Sequence, residues 1–209
     1  MRQRTIVILK IVVWVLALVP LALLIFGATT NSLGADPLAN IEHTTGRWVL
    51  RLLLVTLAVT PLRRITGWNW LVRFRRMLGL FAFFYACLHL TAYLWFDQNF
   101  VWTNVAHDIP KRPFILIGFT AWLLLIPLTA TSTAAAIRKL GGKRWNILHR
   151  SIYVVAVLGV VHFWWAQKAD HSDPLEYAVV LGVLLASRLL LRTHKRRTAA
   201  AGSAMIERS

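Results

Sequence analysis

The stretch "KRWNILHRSIYVVAVLGVVHFWW", Lys143 to Trp165, brackets an almost wholly apolar run with two imidazoles, His149 and His162. Its apolar character reads as a membrane helix. An ionisable group inside a membrane is costly, and its default meaning is functional. The rest of the chain has to say what such imidazoles are for.

The 209 residues are 57% hydrophobic, with a mean hydropathy of +0.59, well above a soluble domain. Six runs are long enough to approach or cross a bilayer as helices: 8–28, 46–62, 77–97, 112–131, 147–167 and 174–191. The second is the shortest and contains Arg51. The first follows Met-Arg-Gln-Arg, is too long for a typical signal-peptide core and has no clear small-residue cleavage site, so it reads as a retained span. The fold expected is an all-α integral membrane six-helix bundle over residues 1–192, with a basic, disordered tail over 193–209. The single cysteine, Cys87, excludes an internal disulfide.

Charge fixes the expected orientation. Arg2, Arg4 and Lys10 precede or begin span one, and Arg63, Arg64, Arg73, Arg75 and Arg76 lie between spans two and three. Arg138, Lys139, Lys143 and Arg144 separate spans four and five, and Arg192, Lys195, Arg196, Arg197 and Arg208 follow span six. The other three loops hold every acid except Glu207. The positive-inside rule then puts both termini in the cytoplasm. The net charge of +16 is thereby a topology signal and a contact with anionic lipid of the bilayer, and nucleic acid is not an expected partner.

Of the seven histidines, His43, His107 and His171 fall in outer loops and His194 in the tail. His89, His149 and His162 lie within spans, and no carboxylate occupies the core of any span. Proton relays usually need membrane carboxylates. Neutral imidazoles without acidic partners suit a metal, and in a helix bundle the large apolar metal cofactor is haem. At about 1.5 Å per residue, His89 and His162 reach comparable depth in the outer half, so one iron can be clamped from two helices. His149 is left near the cytoplasmic side as a further metal ligand. Its counterpart on span three is Arg75, which shares a face with His89. Fourteen residues turn a helix to within about 40° of a whole number of turns. Arginine stays protonated and is a poor iron ligand, so Arg75 is expected to meet a haem propionate. His149 and His162 are about 140° out of register on an ideal helix, which requires a bend or a change of winding, for which Gly159 is a candidate. Phe83, Phe84, Leu158 and Phe163 are candidate apolar walls. Arg150 and Arg188 are expected to reach the inner interface, and Arg47 and Arg51 to meet outer propionates or a docking partner.

The stretches "LGADP" (33–37), "HTTGR" (43–47), "TPLRR" (60–64), "RRMLGL" (75–80), "LHLTAY" (88–93), "TSTAA" (131–135), "LHRSIYVVA" (148–156) and "VHFWW" (161–165) occur in this order across nearly the whole chain. Together they resemble the MsrQ (YedZ) family of haem-binding membrane subunits. The resemblance implies a ferric-reductase-like transmembrane domain in the bacterial inner membrane that binds haem b, one or two. It implies electron delivery from membrane quinol to a periplasmic MsrP-like molybdopterin reductase, where the sulfoxide chemistry takes place. It also implies FMN, for which the residues show no motif, and a separate cytoplasmic flavin reductase remains a possible further partner. The broader superfamily typically uses four haem histidines, against three here with Arg75 near the fourth place.

Two other functions fit less of the sequence. A ferric-reductase-like protein with another acceptor would normally carry a cytosolic flavin and nicotinamide domain, and this chain ends shortly after its last span. A small transporter would show internal repeats or broken helices at mid-membrane, and neither is evident.

Overall fold

In a computed structural model of the chain, residues 3–167 and 170–206 are described, with side chains described to residue 190. The described residues form helices in the order α1 (Gln3–Thr29), α2 (Pro37–Thr66), a 3₁₀ segment (Asn69–Phe74) and α3 (Arg75–Ala92) continued by a π turn (Tyr93–Asp97). Then follow α4 (Trp102–Asp108), α5 (Pro113–Ala130), α6 (Ala134–Leu140), α7 (Gly142–His149), α8 (Ile152–Ala166) and α9 (Ser172–Ile206). The all-helical expectation holds. Among the described residues four helical stretches are long and apolar enough to cross a membrane: Gln3–Thr29, Asn69–Asp97, Pro113–Ala130 and Gly142–Ala166. The other two expected spans, 46–62 and 174–191, lie within α2 and α9. The backbone of α9 is helical through most of the segment expected to form a tail, and residues 207–209 lie outside the described residues.

Local chemistry explains where α2 begins and ends. The Asp36 carboxylate accepts from the Ala39 N–H at 3.0 Å, Pro37 occupies the first helical position, and Gly67 closes the helix at φ 73°. Between these caps α2 is the hub, packing against α3, α8 and α9. Leu53, Phe81, Ala82, Tyr85, Ala121, Leu125 and Val155 form one core between α2, α3, α5 and α8. Leu50, Leu54, Leu57, Ala156, Val160, Phe163 and Leu181 form a second between α2, α8 and α9. Gly159 has a packing role here, because a Cβ would stand 3.0 Å from Leu50 Cδ2.

Pro61 lies inside α2 and has no N–H to offer the Leu57 carbonyl one turn back. Arg188 of α9 donates to that carbonyl and to the Tyr153 hydroxyl. An arginine expected to reach for the interface is turned inward to satisfy an orphaned helix carbonyl.

The change of winding expected at Gly159 sits elsewhere. Arg150 N–H bonds to Ile147 O, Ser151 to Leu148 O and Tyr153 to Arg150 O, all three-residue steps, where α7 gives way to α8. A 3₁₀ step turns about 20° more per residue than an α step, so these steps turn toward closing the roughly 140° between His149 and His162 and supply part of it.

α1 lies on the outside. Leu16, Leu23 and Phe26 are at least 60% exposed, an apolar face suited to acyl chains. It is tied to the bundle by Tyr85, whose fully buried hydroxyl donates to the Ala17 carbonyl at 2.7 Å, and by Trp14 edge-on to Phe81.

At the acid-bearing end Asp108 accepts from Tyr93 and Gln98, both at 3.1 Å, and pairs with Arg112, which also reaches Asp97. Glu42, in the first turns of α2, faces this group. Burial first, then repulsion from Asp97, pushes its carboxyl up to about 7 against the opposing pull of Arg112. Its Oε1 is buried without a hydrogen-bond partner, which suits a neutral acid better than a carboxylate.

Two consequences are measurable. Tyr85→Phe should cost roughly 1 kcal/mol in a reversible denaturation assay by removing the α1–α3 tie. An unchanged midpoint would show that α1 is held by apolar contact alone. Glu42 has a folded pKa raised from 4.5 to about 7, so its protonated form favours the fold and that contribution is lost as pH rises through about 7. Glu42→Gln should therefore melt above the parent at about pH 8 and approach it toward about pH 5, and an equal offset at both would refute the assignment.

Candidate functional site

His89 comes from α3 and His162 from α8, and their ring centroids lie 6.0 Å apart with planes at 80°. Each ring is held through Nδ1 by the backbone of a different neighbouring helix. His89 Nδ1 is 3.0 Å from the Glu42 carbonyl of α2, and His162 Nδ1 is 2.7 Å from the Phe114 carbonyl of α5. A carbonyl only accepts, so Nδ1 carries the hydrogen and donates in both cases. In the neutral ring that leaves the Nε2 lone pair for a metal. The Thr45 hydroxyl, itself bonded to Ile41 O at 2.7 Å, stands 3.3 Å from His89 Nδ1.

The same device serves both rings. Four residues after each accepting carbonyl stands a glycine, Gly46 after Glu42 and Gly118 after Phe114. In a helix the carbonyl of residue i points toward residue i+4, so a side chain there would crowd anything approaching the carbonyl from outside. A Cβ at Gly46 would come within 3.2 Å of His89 Cε1, and one at Gly118 within 2.7 Å of His162 Cε1 and Nδ1. The glycines are cradles for the rings.

This donor set fits haem. No group of three or more His, Cys, Asp or Glu able to hold a metal ion occurs among the described residues, so a metal bound by protein ligands alone is a poor fit. Two opposed imidazoles suit a metal that brings its other ligands with it, as in a macrocycle.

The other candidates lie toward the basic end. The His149 ring is stacked on Trp145 at 3.9 Å, and its Nε2 is 3.0 Å from the Thr131 hydroxyl. Trp145 Nε1 donates to the Thr131 carbonyl at 2.9 Å, so Thr131 positions both. His149 and Arg75 line one cavity, as their shared depth led one to expect. Among the described residues His149 has no imidazole partner. Arg47 pairs with Asp173 at 2.8 Å, and Arg51 donates to the Tyr177 hydroxyl at 3.0 Å while lying over Trp48.

Two of the expected apolar walls are elsewhere. Phe84 is 37% exposed, and Phe163 belongs to the second core against Tyr177. Nearness in sequence misleads here, because five residues turn a helix by about 140° and one residue by about 100°. Phe83 and Leu158 do pack on the main core. His43 and His107 are exposed, and His171 packs on Trp164. The sequence reading missed Thr45, Gly46, Gly118, Thr131 and Trp145. A glycine inside "FILIGFTAW" was the available clue, since small residues mark close approach between membrane helices.

Residues 45–160 match the family described as the ferric reductase like transmembrane component. The chain is 50% identical over 190 residues to a protein of Herminiimonas arsenicoxydans, covering 90% of this chain and 87% of that one. It is 55% identical over 175 residues to one of Xanthomonas campestris pv. campestris (strain 8004), covering 84% and 80%. A third, from Xanthomonas oryzae pv. oryzae (strain MAFF 311018), is 48% identical over 208 residues, covering 97% and 95%. All three relatives bear the name protein-methionine-sulfoxide reductase heme-binding subunit MsrQ. Identity of this level over most of both chains leaves one conclusion: the chain belongs to the MsrQ family.

Proposed function

We propose that this chain is the haem-binding membrane subunit of a protein-methionine-sulfoxide reductase system in the bacterial inner membrane. In this reading it passes electrons from membrane quinol to a periplasmic molybdopterin reductase of the MsrP kind. The observation that carries the proposal is the His89–His162 pair, with each Nδ1 donated to a helix carbonyl. The names of the relatives support the cofactor and the partner enzyme.

His89 and His162 would hold one haem b from α3 and α8. Haem held by two imidazoles supplies a one-electron carrier without an open coordination position, suited to electron transfer rather than oxygen chemistry. The residues around it do three things. The Glu42 and Phe114 carbonyls fix the tautomer and raise the basicity of the ligand nitrogens. Gly46 and Gly118 let the rings reach those carbonyls. The core around Ala82, Tyr85 and Val155 excludes water.

We further propose six spans with both termini cytoplasmic. The support is the alternation of basic and acidic loops and the lengths of α2 and α9. The histidine pair then lies in the outer half, toward the partner reductase, and electrons arrive near His149 and Arg75 at the inner end. A second reading puts a further haem on His149 with Arg75 at a propionate. What favours it is that both residues line the same cavity.

Two experiments test these readings. A pyridine-haemochrome assay should give one haem per chain, lost in His89→Ala and in His162→Ala, with no further loss in the double variant. Gly118→Ala should lower haem occupancy more than Gly46→Ala, because its Cβ comes within 2.7 Å rather than 3.2 Å of the ring. Two different haems lost from the two histidine variants would refute the pairing. Two haems in the parent, one lost in His149→Ala, would establish the second reading. Separately, reporter fusions at Asp36, Asp108 and Asp170 should all report the periplasm, and a cytoplasmic report from any of them overturns the topology.

A further inference from the structure

The two histidine cradles are built alike except at one position. Glu42 and Phe114 supply the accepting carbonyls, and Gly46 and Gly118 stand four residues on. Three residues after the carbonyl, α2 has Thr45 where α5 has Ile117. Thr45 is 2% exposed, and its hydroxyl oxygen stands 3.3 Å from His89 Nδ1. His162 Nδ1 has the Phe114 carbonyl as its one hydrogen-bond partner among the described residues, at 2.7 Å.

A helical threonine often satisfies its hydroxyl on its own backbone. Thr56 and Thr120 do so at 2.7 Å, with no further hydrogen bond among the described residues. Thr45 does the same, donating to the Ile41 carbonyl at 2.7 Å with the Glu42 carbonyl at 3.0 Å. That bond alone would make it a structural residue. The contact that sets Thr45 apart runs across to α3. Its single hydroxyl hydrogen is directed at its own helix, so toward His89 the oxygen can only accept. The Nδ1 hydrogen of His89 is thereby shared between two acceptors, the Glu42 carbonyl at 3.0 Å and the Thr45 oxygen at 3.3 Å.

An acceptor on the Nδ1 hydrogen makes Nε2 a stronger donor to iron, which favours the ferric form. The partial negative charge of the Thr45 oxygen, in apolar surroundings, acts with the same sign. Ile117 offers His162 no such oxygen. We infer that Thr45 is a positioning residue that lowers the potential of the haem between His89 and His162, by sharing the His89 N–H with the Glu42 carbonyl. The two ligands are then unequal: a side chain adjusts His89, and backbone alone holds His162. The inference rests on the haem reading proposed above.

The test uses the full chain, purified with its cofactor and reconstituted in phosphatidylcholine nanodiscs. Thr45→Val keeps the shape of the side chain and removes the oxygen. Its haem content by pyridine haemochrome should match the parent. At a fixed potential its ratio of reduced to oxidised haem should rise about threefold, roughly 30 mV at about 59 mV per tenfold for one electron. The largest g value of the ferric low-spin spectrum, which reports ligand strength and ring orientation, should move with it. Thr45→Ser, which keeps the hydroxyl, should return both readings to the parent values. Thr45→Ala should shift them in the same direction as Thr45→Val and replaces it if the valine variant does not fold. A parent potential and g value in the valine and alanine variants at full haem content overturn the inference. So does a serine variant that shifts as far as the valine one, because shape rather than the hydroxyl would then be the cause. If the parent holds two haems, the shift belongs to the one lost in His89→Ala, and a shift confined to the other overturns the inference. A parent without haem would instead overturn the reading on which the inference rests, and the inference with it.

Discussion

Burying two imidazoles in an apolar bundle requires a partner for each ring N–H. Here both partners are backbone carbonyls of neighbouring helices, the Glu42 carbonyl for His89 and the Phe114 carbonyl for His162. Much of the arrangement around the pair follows from that requirement. A carbonyl inside a helix can accept a second donor only if the donor can approach, so the position four residues on must be small. Gly46 and Gly118 meet that condition, and they let a ring from one helix lie against the backbone of the next. The histidine-bearing helices are thus paired with the carbonyl-bearing ones: α3 with α2, and α8 with α5. A ring held in this way has one tautomer and one orientation. Such preorganisation limits the rearrangement that accompanies metal binding.

α2 carries a second constraint of the same kind. Proline inside a helix leaves the carbonyl one turn earlier without its donor, and in an apolar surrounding that loss must be made good. Arg188 meets the Leu57 carbonyl, and the same guanidinium holds Tyr153 of α8. One basic side chain therefore joins α2, α8 and α9 near the end where the other cations gather. Arg51 does comparable work higher on α2, over Trp48 and against Tyr177 of α9. Arg51, with Arg47, Arg63 and Arg64, is one reason why α2 is less clearly apolar in sequence than α1 or α5, although it stands at the centre of the packing.

What was legible in the sequence followed from helix length and rise. Apolar runs located the long helices, and depth along span three and span five paired His89 with His162 before any contact was known. Depth changes by only about 1.5 Å per residue, so it tolerates small errors in where a helix starts. Rotation about the helix axis does not. Nearness in sequence put Phe84 and Phe163 beside the histidines, whereas Phe84 is 37% exposed and Phe163 belongs to the second core. The residue count also left His149 and His162 about 140° apart, and could not foresee the three-residue hydrogen bonds between Ile147 and Tyr153 that narrow that angle. The carbonyl partners were beyond reach for a different reason. A backbone acceptor has no side-chain letter, and only the glycine that exposes it leaves a mark. "HTTGR" drew attention through His43, whereas in the folded chain Thr45 and Gly46 are the residues that touch His89.

The two ends of the bundle differ in how charge is handled, and the difference bears on function. At the end nearer the paired histidines, acids and bases meet each other: Arg47 with Asp173, and Arg112 with Asp97 and Asp108. A surface with its charges paired internally can present both signs to a partner protein, which favours orientation and encounter rate over raw affinity. At the opposite end, cations stand around a cavity with no acid in its wall among the described residues. Such a surface suits contact with anionic lipid. An excess of positive charge at one end also shapes the field along the bundle, because in a low-dielectric interior it favours the reduced form of any nearby carrier. A carrier between His89 and His162 stands toward the other end and feels less of that pull. The charge asymmetry expected to orient the chain thus also sets the electrostatic surroundings along the proposed route from the inner end to the histidine pair.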